Sequence, residues 1–544
     1  MVLRNIAGVE IGDGSPVTGE VMLDLRRFLP RSVPCIAMVV AVPMVMAQAV
    51  PAKPAPYRDA PAGYRSFIEK AKQAEAIKDP LKRCLAYPDY PDNQWPTGMA
   101  AAHCHLAFDP AITLDEVRGY LDRHAVAELD ARFKADLDRH FSKDHFSEVI
   151  HRDFEGFDES VESGQLSMRW VEMAPGSPYA LTARGQYFLA MAGKARGGKW
   201  AADTAPENMQ RMFEFLDQSI ANYHEALALE PRLLQADAGI IAAAAFESRH
   251  DPQDGAFAHG MSVDPACKVL TAAMMVNLEP RWGGSYAAMN ALAVQLSAYV
   301  PQRPLLALNT IWPQVDAADM VSKNDSYNAA TRMLRSVLSN STNALAFDRM
   351  GRWMDHTTSV DRWEQLVILL ESSRFYQGTQ EANRIRGRLL VNLAREPKWA
   401  IDSLKAAIAQ DPEDAYAHYL LGAAYWNSGS PAQSESDYLA AMNGADTRRD
   451  ALHELTRAML DAHKVTKARK YVDLLNKEYP KFAPGWMTRG SVLLGQGING
   501  DEVTRALRKF AATADPSDFR QMQDLQRVRA MLKTIDKAAA ASTR

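Results

Sequence analysis

Four groups of side chains in this chain have the types and spacing to do chemistry. The first is His103-Cys104-His105 with Cys84 upstream, a set of thiol and imidazole donors. Adjacent residues point in different directions, and no fourth donor stands at a standard metal-ligand spacing. Cys84 and Cys104 therefore read as a disulfide, provided the compartment is oxidising. The second group is His124, His140, His145 and His151, with Glu148 one helical turn before His151. Two such donors can share a ligand, but no matching pair on another helix is visible, so solvated helix faces are the expectation. The third is a pair of diglycines, Gly197-Gly198 and Gly283-Gly284, each near an arginine (Arg196, Arg281) and a tryptophan (Trp200, Trp282). Backbone N–H groups beside a guanidinium can hold an anion. A tight turn with the tryptophan packed over it is the plainer reading. The fourth is Glu148, Glu172 and Glu279, carboxylates outside the clear repeats that a hydrolase would need in a cleft. Nucleophile elbow, phosphate loop, dinucleotide fingerprint and zinc-protease motif are absent. No catalytic residue, metal ligand or cofactor is assigned.

The N-terminal residues carry an address. Arg26, Arg27 and Arg31 precede an apolar run, Val33 to Met46, broken by Pro34 and Pro43 and followed by Ala47-Gln48-Ala49. That is the pattern of a secretory signal cleaved after a small-x-small site, and the run is short for a membrane span. Met22 would give a signal of conventional length, with residues 1–21 upstream of it. The expected location is the periplasm or the exterior, with no stable membrane span after cleavage near Ala49. Of the four cysteines, Cys35 goes with the signal. Cys267 is left as a buried free thiol once Cys84 and Cys104 pair. With 62 bases against 66 acids the net charge is −4, which gives no electrostatic footprint for nucleic acid.

The elements that must carry these groups are helices. Thr113 and Glu116 form a capping box ahead of Leu114, Val117, Leu121, Ala125 and Leu129, which recur at helical spacing. Further helices are expected through Phe133, Leu137 and Phe141, and through Phe146, Val149, Ile150 and Phe154. Pro231 and Pro265 are 34 residues apart, and Pro412 and Pro480 are twice that, each closing a segment that reads as two short helices. In the segment opening at Ala415, His418, Leu421, Gly422 and Tyr425 take first-helix contact positions; Ser434, Tyr438 and Ala441 take the second-helix ones. Ala400, Leu404 and Ala407 precede it; Ala468, Val472, Leu475, and then Trp486, Arg489, Gly490 and Leu493 follow. This 34-residue pattern resembles the tetratricopeptide repeat. The likeness implies an all-α fold, an α-solenoid of stacked helical hairpins forming a tetratricopeptide-like superhelix.

A second resemblance covers residues 80–300. The run Pro178 to Tyr187, Ala195-Arg196-Gly197-Gly198, Leu229-Glu230-Pro231-Arg232 and Arg281-Trp282-Gly283-Gly284-Ser285 resemble the bacterial domain-of-unknown-function 4034 family. The Cys84 to Cys104 segment is similar to the N-terminal part of some members. The resemblance implies helical hairpins and a bacterial source, and no activity.

The expected layout is an extension and signal over 1–49, a Pro/Ala-rich leader over 50–80, the disulfide loop and first helices over 81–155, and a hairpin core over 156–305. Connecting hairpins follow over 306–400, tetratricopeptide-like repeats over 401–517 and a capping helix and tail over 518–544. By register, Tyr416, Tyr419, Trp426 and Asn427, then His453 and Arg457, face the groove of the repeats and would suit an extended peptide or a glycan. The expected function is non-catalytic: an exported binding or scaffold protein of the bacterial cell envelope with a protein or peptide partner. The alternative is an envelope enzyme acting on cell-wall glycan.

Overall fold

The structure, a computed structural model, describes residues 57–143, 146–198, 203–247 and 250–542. The export signal, His145 and Trp200 lie outside those residues. Among the described residues every regular element is a helix, and no helix is long and apolar enough to cross a membrane. The chain divides into two compact units.

One unit comprises residues 66–360 and 370–377. Past the Ala62–Glu75 helix come two short helices, Pro80–Ala86 and Met99–Phe108, joined by the Cys84–Cys104 disulfide. The capping box at Thr113 starts Leu114–Asp122 as its sequence requires. The helix expected through Phe146 to Phe154 is reduced to one turn, Val149–Arg152. The chain leaves the helix there because the Asp153 carboxylate accepts from the Ile112 N–H at 2.9 Å, while Phe154 and Phe157 turn into an aromatic core with Phe133 and Trp170. The long hairpin Pro178–Arg196 with Pro206–Leu229 follows, then Leu234–Glu247 with His250–Val263. Tyr223 is fully buried between Gly185 and Gly239, where a methyl on either glycine would overlap its ring. Pro231 and Pro265 each stand just past a helix end, so their 34-residue spacing marks one hairpin.

The other unit comprises residues 57–65, 361–369 and 378–542 of the described chain. Its successive hairpins are Gln380–Asn392 with Pro397–Gln410, Ala415–Asn427 with Glu435–Ala441, Arg448–Asp461 with Val465–Glu478, and Ala483–Gly495 with Asp501–Thr513. Each buries one stripe. In the last helix of the series Val503, Ala506, Leu507 and Phe510 recur every three or four residues and all are buried. Large side chains of second helices sit on first-helix glycines: Leu404 on Gly387 and Tyr438 on Gly422. The Phe519–Ser542 helix closes the series through Leu525 and Val528. An open stack needs such a cap because its last hairpin has no following neighbour to cover it.

Candidate functional site

The Ala415–Asn427 helix is capped by Asp414, whose carboxylate accepts from the Ala417 N–H at 2.9 Å. Its first turn presents Tyr416, 39% exposed, stacked on Tyr419 with ring centroids 6.2 Å apart. Tyr419 is half-buried and meets Tyr438 edge-on at 5.9 Å. Burial, then the Glu454 and Asp450 carboxylates of the next first helix, push its phenol well above the ordinary range. Trp426 does not face the groove. It is buried among Tyr438, Ala441, Leu455 and Ala458, and its Nε1–H donates to Asp461 at 2.8 Å. A bulky ring on a first helix fills the space beside small residues of its neighbours, which is why the register alone misplaced it. Asn427, half-buried, ends the same helix.

Arg457 covers the Trp426 ring at 4.9 Å and pairs with Glu454 at 3.3 Å. Burial opposes ionisation of Glu454, but His453 and Arg457 outweigh it and hold the carboxyl below its usual range. His453 Nε2 lies 3.0 Å from Thr488 Oγ1, and its ring meets Phe482 edge-on. Two stacked tyrosines on one first helix are thus followed on the next by an ordered Glu–Arg–His set.

The remaining sequence candidates have internal partners. The Cys84–Cys104 bond removes both thiols from any metal set. His103 lies flat on Phe375 at 4.2 Å and shares a hydrogen bond with Thr342 at 2.8 Å; burial, with Lys268 and Arg374 adding to it, takes its pKa down to about 3. Glu172 is exposed. Glu279 is buried, accepts from Trp312 Nε1–H at 2.8 Å and pairs with Arg281 at 2.6 Å. Arg281 also pairs with Asp316, so two of its nitrogens already face carboxylates. At that turn Gly283 has φ +91° and Gly284 lies against the Leu278 carbonyl, positions that admit only glycine. Arg196 stacks over Phe246 and Trp282 at 5.9 and 5.5 Å.

The expectation of solvated histidines fails in the second group. His124 is exposed, but His140, Glu148 and His151 are 1%, 6% and 6% exposed. They converge with Cys267, a buried free thiol at the residue just before the Lys268–Asn277 helix. Glu148 Oε2 is 3.4 Å from His151 Nε2 and 3.8 Å from His140 Nδ1, and Cys267 Sγ is 3.7 Å from His151 Nε2. His140 Nε2 is 3.1 Å from the Asp264 carboxylate. Burial pushes the Glu148 carboxyl up; it takes His151 well below the imidazole range, with His140 and Lys268 adding to it; it drives the Cys267 thiol well above its usual range, with Glu148 adding to it. The only hint in the sequence was the apolar setting of these residues, Phe141, Phe146, Val149 and Ile150. Cys267 is too distant along the chain to be joined to them by spacing.

Residues 399–429 match the TPR repeat family, across the Pro397–Gln410 and Ala415–Asn427 helices. No curated protein matches the chain in sequence. Among solved structures, the chain is similar to YrrB, a TPR protein with an unusual peptide-binding site, at 18% identity and TM-score 0.30 over 32% of this chain and 90% of that one. It is similar to the P58(IPK) TPR domain at 12% identity and TM-score 0.24, over 73% of this chain and 99% of that one. It is similar also to yeast Tom70 at 12% identity and TM-score 0.26, over 76% and 90%.

Proposed function

We propose that this chain is a non-catalytic scaffold of the bacterial cell envelope that holds a protein or peptide partner on the first-helix face of its C-terminal hairpins. The observation that carries the reading is the set Tyr416, Tyr419, Glu454, Arg457 and His453, where an exposed tyrosine stacked on a half-buried one adjoins side chains already ordered by one another. Ordered anchors lose little entropy on binding, so affinity concentrates there. Trp426 supports the set from beneath, with Asn427 at its edge. The TPR match over 399–429 supports a protein or peptide rather than a glycan as the occupant.

Export is part of the same proposal. The basic residues, apolar run and Ala47-Gln48-Ala49 site support secretion with cleavage near Ala49. The Cys84–Cys104 bond fits an oxidising compartment, where such bonds persist. The resemblance of residues 80–300 to the domain-of-unknown-function 4034 family supports a bacterial source. A photo-crosslinking side chain placed at 416 or 453, in the native compartment, should capture one partner; the same group at Leu439, exposed on a second helix, should not. Tyr416→Ala and Arg457→Ala should each reduce the adduct. Equal capture from both faces, or adducts unchanged in both variants, would discard the groove assignment.

A further inference from the structure

The buried group in the first unit has a geometry that protein–protein binding does not use. Three of its donor-to-donor separations are 3.4, 3.7 and 3.8 Å. Ligand pairs around a tetrahedral ion with bonds of ~2.0–2.3 Å lie ~3.3–3.7 Å apart. One donor atom each from His140, His151 and Cys267 lies within 4.8 Å of the others, and Glu148 stands outside that set but against both imidazoles. His140 Nδ1 has no hydrogen-bond partner although it is fully buried, and it is the nitrogen that faces Glu148. A buried acceptor without a partner carries a cost that an ion would remove.

The opposite nitrogen of the same ring supplies a second, independent indication. His140 Nε2–H donates to Asp264, which fixes the tautomer and leaves the Nδ1 lone pair directed inward. Ligating histidines are held by an outer carboxylate in just this way. A catalytic relay is ruled out by the same distances. Glu148 and Cys267 both approach Nε2 of His151, whereas a relay needs the acid on one ring nitrogen and the thiol on the other.

We propose that His140, Glu148, His151 and Cys267 form a closed four-ligand site for a zinc-class divalent transition ion. Two nitrogens, a sulfur and a carboxylate oxygen match the donor preference of zinc and not that of calcium or magnesium. With Glu148 ionised and the Cys267 proton released to solvent, two negative charges neutralise the dication, so the buried site carries no net charge. The thiolate also sits at the N-terminus of the Lys268–Asn277 helix, where the helix dipole favours it. All four positions are filled by protein, so the ion is structural. It ties the C-terminal end of the Val126–His140 helix and the Val149–Arg152 turn to the closing Asp264-Pro265 of a hairpin more than a hundred residues later.

The test uses the full chain without a polyhistidine tag. After exposure to zinc and gel filtration, elemental analysis should find one zinc per chain. The thermal midpoint should rise by on the order of 5 °C with excess zinc and fall on chelation. Cobalt(II) should give tetrahedral visible bands and a near-ultraviolet thiolate-to-cobalt band. Cys267→Ser, a near-isosteric change, should abolish the thiolate band, and Glu148→Gln should lower stoichiometric retention. Asp264→Asn keeps an acceptor for His140 yet should weaken zinc binding by ~10–100-fold. Folding of each variant is checked by circular dichroism. A folded wild-type chain that retains no zinc overturns the proposal. So does metal binding that is indifferent to Cys267→Ser and Glu148→Gln, or a cobalt complex with no thiolate band.

Discussion

The two units bury apolar surface by the same device and hold their ends by different ones. In both, an aromatic or branched side chain on one helix seats on a glycine of its neighbour: Tyr223 on Gly185 and Gly239 in one, Tyr438 on Gly422 in the other. In the C-terminal hairpins the partners of each helix are near in sequence, and the series ends with an amphipathic cap. In the first unit the Cys84–Cys104 segment is fastened to residues far along the chain. Trp95 Nε1–H donates to the Leu338 carbonyl at 2.9 Å, His103 meets Thr342, and Arg374 donates to the Cys84 carbonyl at 3.0 Å and pairs with Asp89 at 2.8 Å. One unit is stabilised by repetition and the other by closure. Closure needs individual polar and covalent ties because no repeating partner covers the ends.

The comparison can be broken at its shared device. Tyr223→Ala empties a site between two glycines and should cost the first unit about 3–5 kcal/mol in denaturant unfolding. Tyr438→Ala, resting on a single glycine, should cost less. Equal losses would mean that the second glycine contact contributes nothing. Removing the covalent tie is next in size. Cys84→Ser with Cys104→Ser should lower stability by about 2–4 kcal/mol. Hydrogen exchange should then quicken at 80–108, 338–342 and 370–375 while the hairpins of 415–478 keep their protection. Gly422→Ala forces the Tyr438 ring aside and should cost about 1–3 kcal/mol, read as loss of protection confined to the repeats.

The pH dependence separates the units further. Burial, opposed by the Ile112 N–H and aided by the Asp136 carboxylate, pushes Asp153 from 3.8 up to about 7. Burial, against the pull of Arg374, takes Glu371 from 4.5 up to about 7 as well. Both pKa values are raised in the folded state, so the folded chain holds protons that the unfolded chain has released. Their contribution is complete below pH ~4 and is lost as pH rises to about 7. Asp153→Asn should therefore reduce the fall in first-unit stability across that window by up to about 1.4 kcal/mol per pH unit. Asp153→Asn with Glu371→Gln should flatten it further. The smallest expected effect is Arg457→Ala, whose loss of the contact over Trp426 should cost about 0.5–1 kcal/mol of stability while weakening partner capture.

Much of this was written locally. The proline spacing and the Thr113 capping box depend on residues within a helix or a hairpin, and each stands where its spacing implied. The Phe146 to Phe154 helix was misjudged because Asp153 is held by Ile112, a partner outside any local window. Trp426 was misjudged because first-helix register does not say which face a neighbouring hairpin covers. His140, Glu148 and His151 looked like solvated residues because polar types near one another usually are.

The amino-acid order alone determined that this polypeptide folds into paired helices and, given an oxidising compartment, that Cys84 and Cys104 are the thiols placed to pair. Those features follow from caps, breakers and periodic apolar stripes, all readable over a few dozen residues. The tertiary structure decided which histidines are buried, that Cys267 meets His151, and which aromatics remain at the surface. Such meetings join segments more than a hundred residues apart, and only the packing of whole hairpins brings them within a few ångströms.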